Sequence, residues 1–104
     1  MEFTIKLIEK SQIAKICSEI RSRKKQVVLC HGVFDILHIG HKRHLHAAKD
    51  EADVLIVSLT ADRHVNKGPG RPIFSEKLRA EMVASLACVD FVVLNDKFDA
   101  ITMI

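Results

Sequence analysis

Tryptophan and tyrosine are both missing from this 104-residue chain, which carries five phenylalanines and no other carbocyclic aromatic. Proteins that hold single-stranded nucleic acid stack its bases on such rings, and a net charge of +3 exerts little pull on a polyanion. No nucleic-acid partner is expected. No run of about 20 apolar residues occurs, as a helical membrane span would need, so no membrane partner is expected either. The N-terminus lacks the charged-then-apolar pattern and small-residue cleavage site of an export signal, which points to the cytoplasm. Cysteine is scarce: Cys17, Cys30 and Cys88 are odd in number, far apart and set among apolar neighbours. They read as reduced, buried thiols rather than a disulfide framework.

What is present is ordinary for a folded domain, with 48% hydrophobic and 28% charged residues. The length suits a single domain over residues 1–104. Phe3, Ile5 and Leu7 alternate with polar residues, a short strand signal. From Ser11, read as an N-cap, Ile13, Ile16, Cys17 and Ile20 mark one helix face, and the basic residues of RSRKK suit the negative end of that helix. VVLC (27–30), ADVLIVSLT (52–60) and FVVL (91–94) read as strands of a parallel sheet, the first of them buried on both faces. Between them lie a helix from about Gly40 to Asp50, with Leu45, Ala48 and Ala52 inward, and a helix capped by Ser75, with Leu78, Met82 and Leu86 in phase. The last residues, about Phe98 to Ile104, read as the start of a further helix. Strands alternating with helices predict an α/β fold: an open, Rossmann-like parallel sheet with helices on both faces.

One stretch does not belong to a core. HGVFDILHIGH (31–41) places three histidines, an aspartate and two glycines directly after the first apolar run. In open α/β sheets ligands bind beyond the carboxyl ends of the strands, and a loop leading into a helix start offers backbone N–H groups and the positive end of the helix dipole to an anion. Gly32 and Gly40 would let backbone and ligand approach closely. His38 and His41, three residues apart near the helix start, could both donate to one phosphate. The sequence has neither GxxxxGK[ST] nor GxGxxG, so the loop is no Walker A or dinucleotide fingerprint. Zinc is the competing reading of His38, His41, His44 and His46, but three-residue helical steps spread the rings and no cysteine or carboxylate stands at ligand spacing. No protein metal ligand is assigned. His44 and His46 suit an exposed helix surface, and His64 stays ambiguous.

Gly32-Val33-Phe34-Asp35 followed by His38-Ile39-Gly40-His41 resembles the GxFDxxHxGH signature of the cytidylyltransferase-like nucleotidyltransferases. The basic-ended helix before the first long strand, KGPGRP (67–72) and LRAEMVASLACVDFVV resemble the branch that includes the adenylyltransferase domains making ADP-heptose from heptose 1-phosphate for the lipopolysaccharide core. The resemblance covers about residues 11–95. It implies transfer of a nucleotidyl group from ATP or CTP to a sugar phosphate, with magnesium accompanying the triphosphate and pyrophosphate released, and a homodimer. It also implies the site. His38 and His41 would bind triphosphate oxygens and act catalytically together with Lys67. Gly32, Val33, Phe34, Asp35 and Gly40 would shape the nucleotide pocket. Thr60, Asp62, Arg63, Lys67 and Arg71 would meet the acceptor and phosphates.

The chain departs from that pattern after its last long strand. The family usually adds another strand and an Ile-Ser-Ser-Thr segment with a basic residue, which this sequence does not contain. The expectation is a domain lacking its usual C-terminal part, with 27–30 left at an open sheet edge unless the N-terminal strand or a partner chain covers it. A non-catalytic nucleotide-binding or assembly module, retaining half of the site, is therefore the alternative.

Overall fold

The computed structural model describes residues 6–34, 38–62 and 74–95. In chain order these form β1 (Leu7–Ile8), α1 (Ile13–Ser22), β2 (Val27–Gly32), α2 (Ile39–Asp50), β3 (Val54–Thr60), α3 (Glu76–Ala84) and β4 (Phe91–Asn95). The strands make one sheet in the order β1-β4-β3-β2, and every neighbouring pair is parallel. Parallel neighbours cannot be joined by tight turns, so each connection carries a helix across a face.

Register decides which side chains share a face. Leu55, Val57 and Leu59 point to one side and pack with Leu45 of α2 and Ala80, Val83 and Ala84 of α3. Ile56 and Val93 point to the other side, where Ile13 and Cys17 of α1 cover them. The result is the expected Rossmann-like arrangement with helices on both faces. α1 connects β1 at one edge to β2 at the other, so among the described helices it is the one that crosses the second face.

Three local expectations need correction. Ser11 is not a cap: it lies in a 3-10 turn, Lys10–Gln12, whose N-cap is Glu9 and which runs into α1. Gln12 at the third position accepts the Glu9 N–H at 2.8 Å, so the capping chemistry falls on Glu9 and Gln12 instead. The apolar stripe of α3 is shifted too. Leu78 is exposed, while Ala80, Val83 and Ala84 are buried, because small side chains let the helix sit close to the sheet. Finally, residues 27–30 are only partly buried. They belong to an edge strand among the described residues, with β3 on one side alone. The N-terminal strand does not cover that edge, since β1 pairs with β4 on the far side of the sheet. Phe3, Ile5 and 98–104 lie outside the described residues.

α1 ends in a Schellman turn. The N–H of Lys25 reaches the Ile20 carbonyl at 3.2 Å and that of Lys24 reaches Arg21 at 2.9 Å. Lys24 takes the left-handed conformation, φ +60°, at a position that usually holds glycine.

Candidate functional site

Gly32 ends β2 and Thr60 ends β3, and the two are neighbours at the carboxyl rim of the sheet, where Val33 and Phe34 follow β2. Phe34 turns the chain there, with φ +52°, a conformation unfavourable for a bulky residue. Its ring offsets the strain by burial in the core under α2 and α3. It lies beneath Gly32, where a Cβ would come within 2.7 Å of Phe34 Cε2, so only glycine fits. The same ring meets His41 edge-on, with centroids 5.1 Å apart.

His38 and His41 build the start of α2 between them. His38 is the N-cap, and its Nδ1 accepts the Gly40 N–H at 3.0 Å. His41, at the third helical position, accepts the His38 N–H on its own Nδ1 at 3.3 Å. This is a capping box made from two imidazoles, a role usually taken by Ser or Thr with Glu or Gln. The rings stack, with centroids 3.9 Å apart and planes at 28°. An accepting Nδ1 places the proton of a neutral imidazole on Nε2, so both rings are N–H donors at their outer nitrogens. Gly40 makes the cap possible: a Cβ there would stand 2.8 Å from His38 Cε1. Capping thus uses Nδ1 of each ring, and the HxGH spacing places both rings to do so.

Beneath this loop lies a group that sequence reasoning missed. Arg79 of α3 is wholly buried. Its Nη1 donates to the carbonyls of Val33 at 2.9 Å and Thr60 at 2.7 Å, its Nε to that of Phe74 at 3.1 Å, and its Nη2 to Asp62 Oδ1 at 2.6 Å. One planar guanidinium therefore joins the segment after β2, the segment after β3 and the approach to α3. The fixed fork of donors suits arginine to such a hub. Asp62, expected at the acceptor, holds Arg79, and its backbone N–H donates to Glu76 Oε1 at 3.0 Å. No local signal marks Arg79, since an arginine in an amphipathic helix reads as exposed.

Thr60 closes β3, with its side chain near a further histidine. His31 Nδ1 lies 2.9 Å from Ser58 Oγ and its Nε2 lies 3.3 Å from Thr60 Oγ1. Partial burial lowers the pKa of the His31 ring below its ordinary value. Gly32, Val33, Phe34, His38, Gly40, His41, Thr60 and Asp62 are thus gathered at one rim of the sheet. Asp35, Arg63, Lys67 and Arg71 lie outside the described residues, as does His64. His44 and His46 are exposed on α2, and His46 Nδ1 stands 3.5 Å from Asp50. Among the described residues no three His, Cys, Asp or Glu side chains form a set able to hold a metal ion, and no helix is long and apolar enough to cross a membrane.

A family model described as cytidylyltransferase-like matches residues 29–103. The bifunctional protein HldE of Syntrophotalea carbinolica is 36% identical over 99 residues, covering 93% of this chain. The bifunctional protein HldE of Helicobacter pylori strain Shi470 is 43% identical over 94 residues, covering 88% of it. The chain spans about a fifth (20%) of the length of these relatives. Among solved structures, a lipopolysaccharide core biosynthesis protein from Thermoplasma volcanium GSS1 superposes with a TM-score of 0.69 at 33% identity, over 75% of this chain and 64% of that one. With the family model spanning most of the chain, this protein belongs to the cytidylyltransferase-like family.

Proposed function

We propose that the chain carries the triphosphate-binding half of a nucleotidyltransferase site and transfers a nucleotidyl group from ATP or CTP to a sugar phosphate. The observation that carries this reading is the imidazole capping box. Both rings accept backbone N–H groups on Nδ1, which leaves the proton of a neutral ring on Nε2, beside the N-terminus of α2, where backbone amides and the helix dipole favour an anion.

In this reading an acceptor phosphate oxygen attacks the α-phosphorus in line, the bond to the β-phosphate oxygen breaks, and pyrophosphate leaves. His38 and His41 hold oxygens of the triphosphate and stabilise the charge that builds as the bond to the leaving group lengthens. No general base is required, because a phosphate acceptor is already ionised. Magnesium enters with the triphosphate as part of the substrate. Gly32, Val33, Phe34, Asp35 and Gly40 shape the nucleotide pocket. Lys67 shares the catalytic role, and Arg63, Lys67 and Arg71 meet phosphates. Thr60 faces the acceptor, while Asp62 acts through Arg79. Heptose 1-phosphate is the first acceptor to try, and lipopolysaccharide core synthesis the setting, by likeness to the relatives above. A cytoplasmic homodimer completes the proposal, with sedimentation of the purified protein as the check on its oligomeric state.

The experiment is pyrophosphate release with magnesium, ATP or CTP in turn, and a panel of sugar and polyol phosphates. Release with one pair is expected. A second reading, a non-catalytic nucleotide-binding or assembly module, draws on the outer edge of β2, which has no neighbour among the described residues. Triphosphate binding without release from any pair would favour it.

A further inference from the structure

The imidazole of His31 serves the fold through one of its two contacts only. It stands opposite Ser58 in the parallel register of β2 and β3, and its two nitrogens meet Ser58 Oγ and, one pleat further along, Thr60 Oγ1. Ser58 is wholly buried, so its hydroxyl needs a partner and His31 supplies one. Thr60 is different. Its hydroxyl is at the rim, where water would serve. Fixing it gains little stability, yet this residue is fixed twice: its carbonyl by Arg79 at 2.7 Å and its hydroxyl by His31.

The chemistry of the trio separates it from the phosphate-binding side of the loop. Both partners of His31 are hydroxyls, neither of them a carboxylate that would hold an extra proton on the ring. Burial disfavours the charged form as well. A neutral imidazole and a rim hydroxyl, each able to donate or accept, match the hydroxyl groups of a sugar or polyol better than they match a phosphate. The trio also lies on the α1 side of the sheet, in line with Ile56 and Val93, whereas α2 with its capping histidines packs on the opposite face.

The geometry points to His31 as a positioning residue that orients the Thr60 hydroxyl to read hydroxyl groups on the carbon frame of the acceptor. This rests on the proposed transfer to a sugar phosphate and assigns the contact that selects among acceptors. His31 touches the acceptor through Thr60 and moves no proton in the reaction.

The test compares the native chain with His31→Ala, His31→Gln and Thr60→Val, each first checked for native circular dichroism and thermal unfolding. The expected result is a rise of about tenfold in acceptor KM for His31→Ala and Thr60→Val, with nucleotide KM within about twofold. The double variant is expected to be no worse than either single one, because the two groups act as a unit. His31→Gln, which keeps an N–H donor, is expected to recover part of the loss. An unchanged acceptor KM, or an equal rise in nucleotide KM, overturns the assignment. If the native chain releases no pyrophosphate with any pair, the transfer reading fails on its own, and the contact is read from ring-nitrogen NMR spectra. His31 signals should then move with aldose 1-phosphates or polyol phosphates and stay still with inorganic phosphate at equal concentration. Signals unmoved by every sugar or polyol phosphate, or moved equally by inorganic phosphate, contradict the proposal.

Discussion

The Arg79 guanidinium, wholly buried, lies 2.6 Å from the Asp62 carboxylate, which is 40% exposed. The pair fastens the segment after β3 to α3, and the remaining Arg79 donors fasten the segment after β2 to both. Truncating one member of a buried pair typically costs about 3–5 kcal/mol, because the partner and the other acceptors lose their donors. The half-exposed Asp62 can turn to water, so Arg79→Ala should lose about 3 kcal/mol of unfolding free energy, the low end of that range. Urea unfolding measures it. Arg79→Lys should recover little, since a lysine has no planar fork to span four acceptors. Full recovery by lysine would show that charge alone matters here.

Gly40→Ala places a methyl 2.8 Å from His38 Cε1 and should push the ring off the helix start. Loss of an N-cap costs roughly 0.5–2 kcal/mol, readable by thermal unfolding. Triphosphate affinity should fall in the same variant, because the ring that caps also donates. Calorimetric titration with ATP and CTP checks this, and an unaltered affinity would separate capping from binding.

His41→Ala should reduce turnover by about 10²–10³, the usual effect of removing one transition-state donor. Its cap contact, at 3.3 Å, is the longer of the two, so the stability loss should stay near about 1 kcal/mol or below. Steady-state kinetics beside thermal unfolding distinguishes the two effects. Comparable turnover for variant and parent would remove His41 from the chemistry.

Acid should weaken the fold through His31. Its pKa is lowered in the folded protein by burial, so the unfolded chain takes up the proton first as pH falls. The contribution is fully present above the unfolded value near about 6.5 and is lost as pH drops below it towards the folded value. Urea midpoints at pH 7.5 and pH 5 should therefore differ less in His31→Gln than in the native chain. An equal difference in both would assign the acid sensitivity to other groups.

Much of this could be read before any coordinates. The apolar runs at 54–60 and 91–95 are strands because β-branched residues without polar alternation suit a sheet covered on both faces. Ser75 caps α3 as expected and accepts the Leu78 N–H at 3.3 Å. The histidine loop was legible because its residue types are out of place in a core. Arg79 and His31 were not legible. Each draws its meaning from groups distant in sequence, Val33 and Asp62 for the first and Ser58 and Thr60 for the second; the packing of α3 brings the first set together and strand register the second. Nor does local pattern say that β1 joins β4 instead of β2, since pairing order is a property of the whole sheet.

The most direct test of the central idea follows the ring nitrogens of His38 and His41 by NMR while ATP or CTP is added with magnesium. The Nε2 signals of both rings and the amides at the start of α2 should shift together and saturate, while the Nδ1 signals keep the character of acceptors. Rings that stay unmoved while the triphosphate binds elsewhere, or a proton found on Nδ1 of either, would contradict the account of HGVFDILHIGH as a triphosphate site built on a histidine-capped helix.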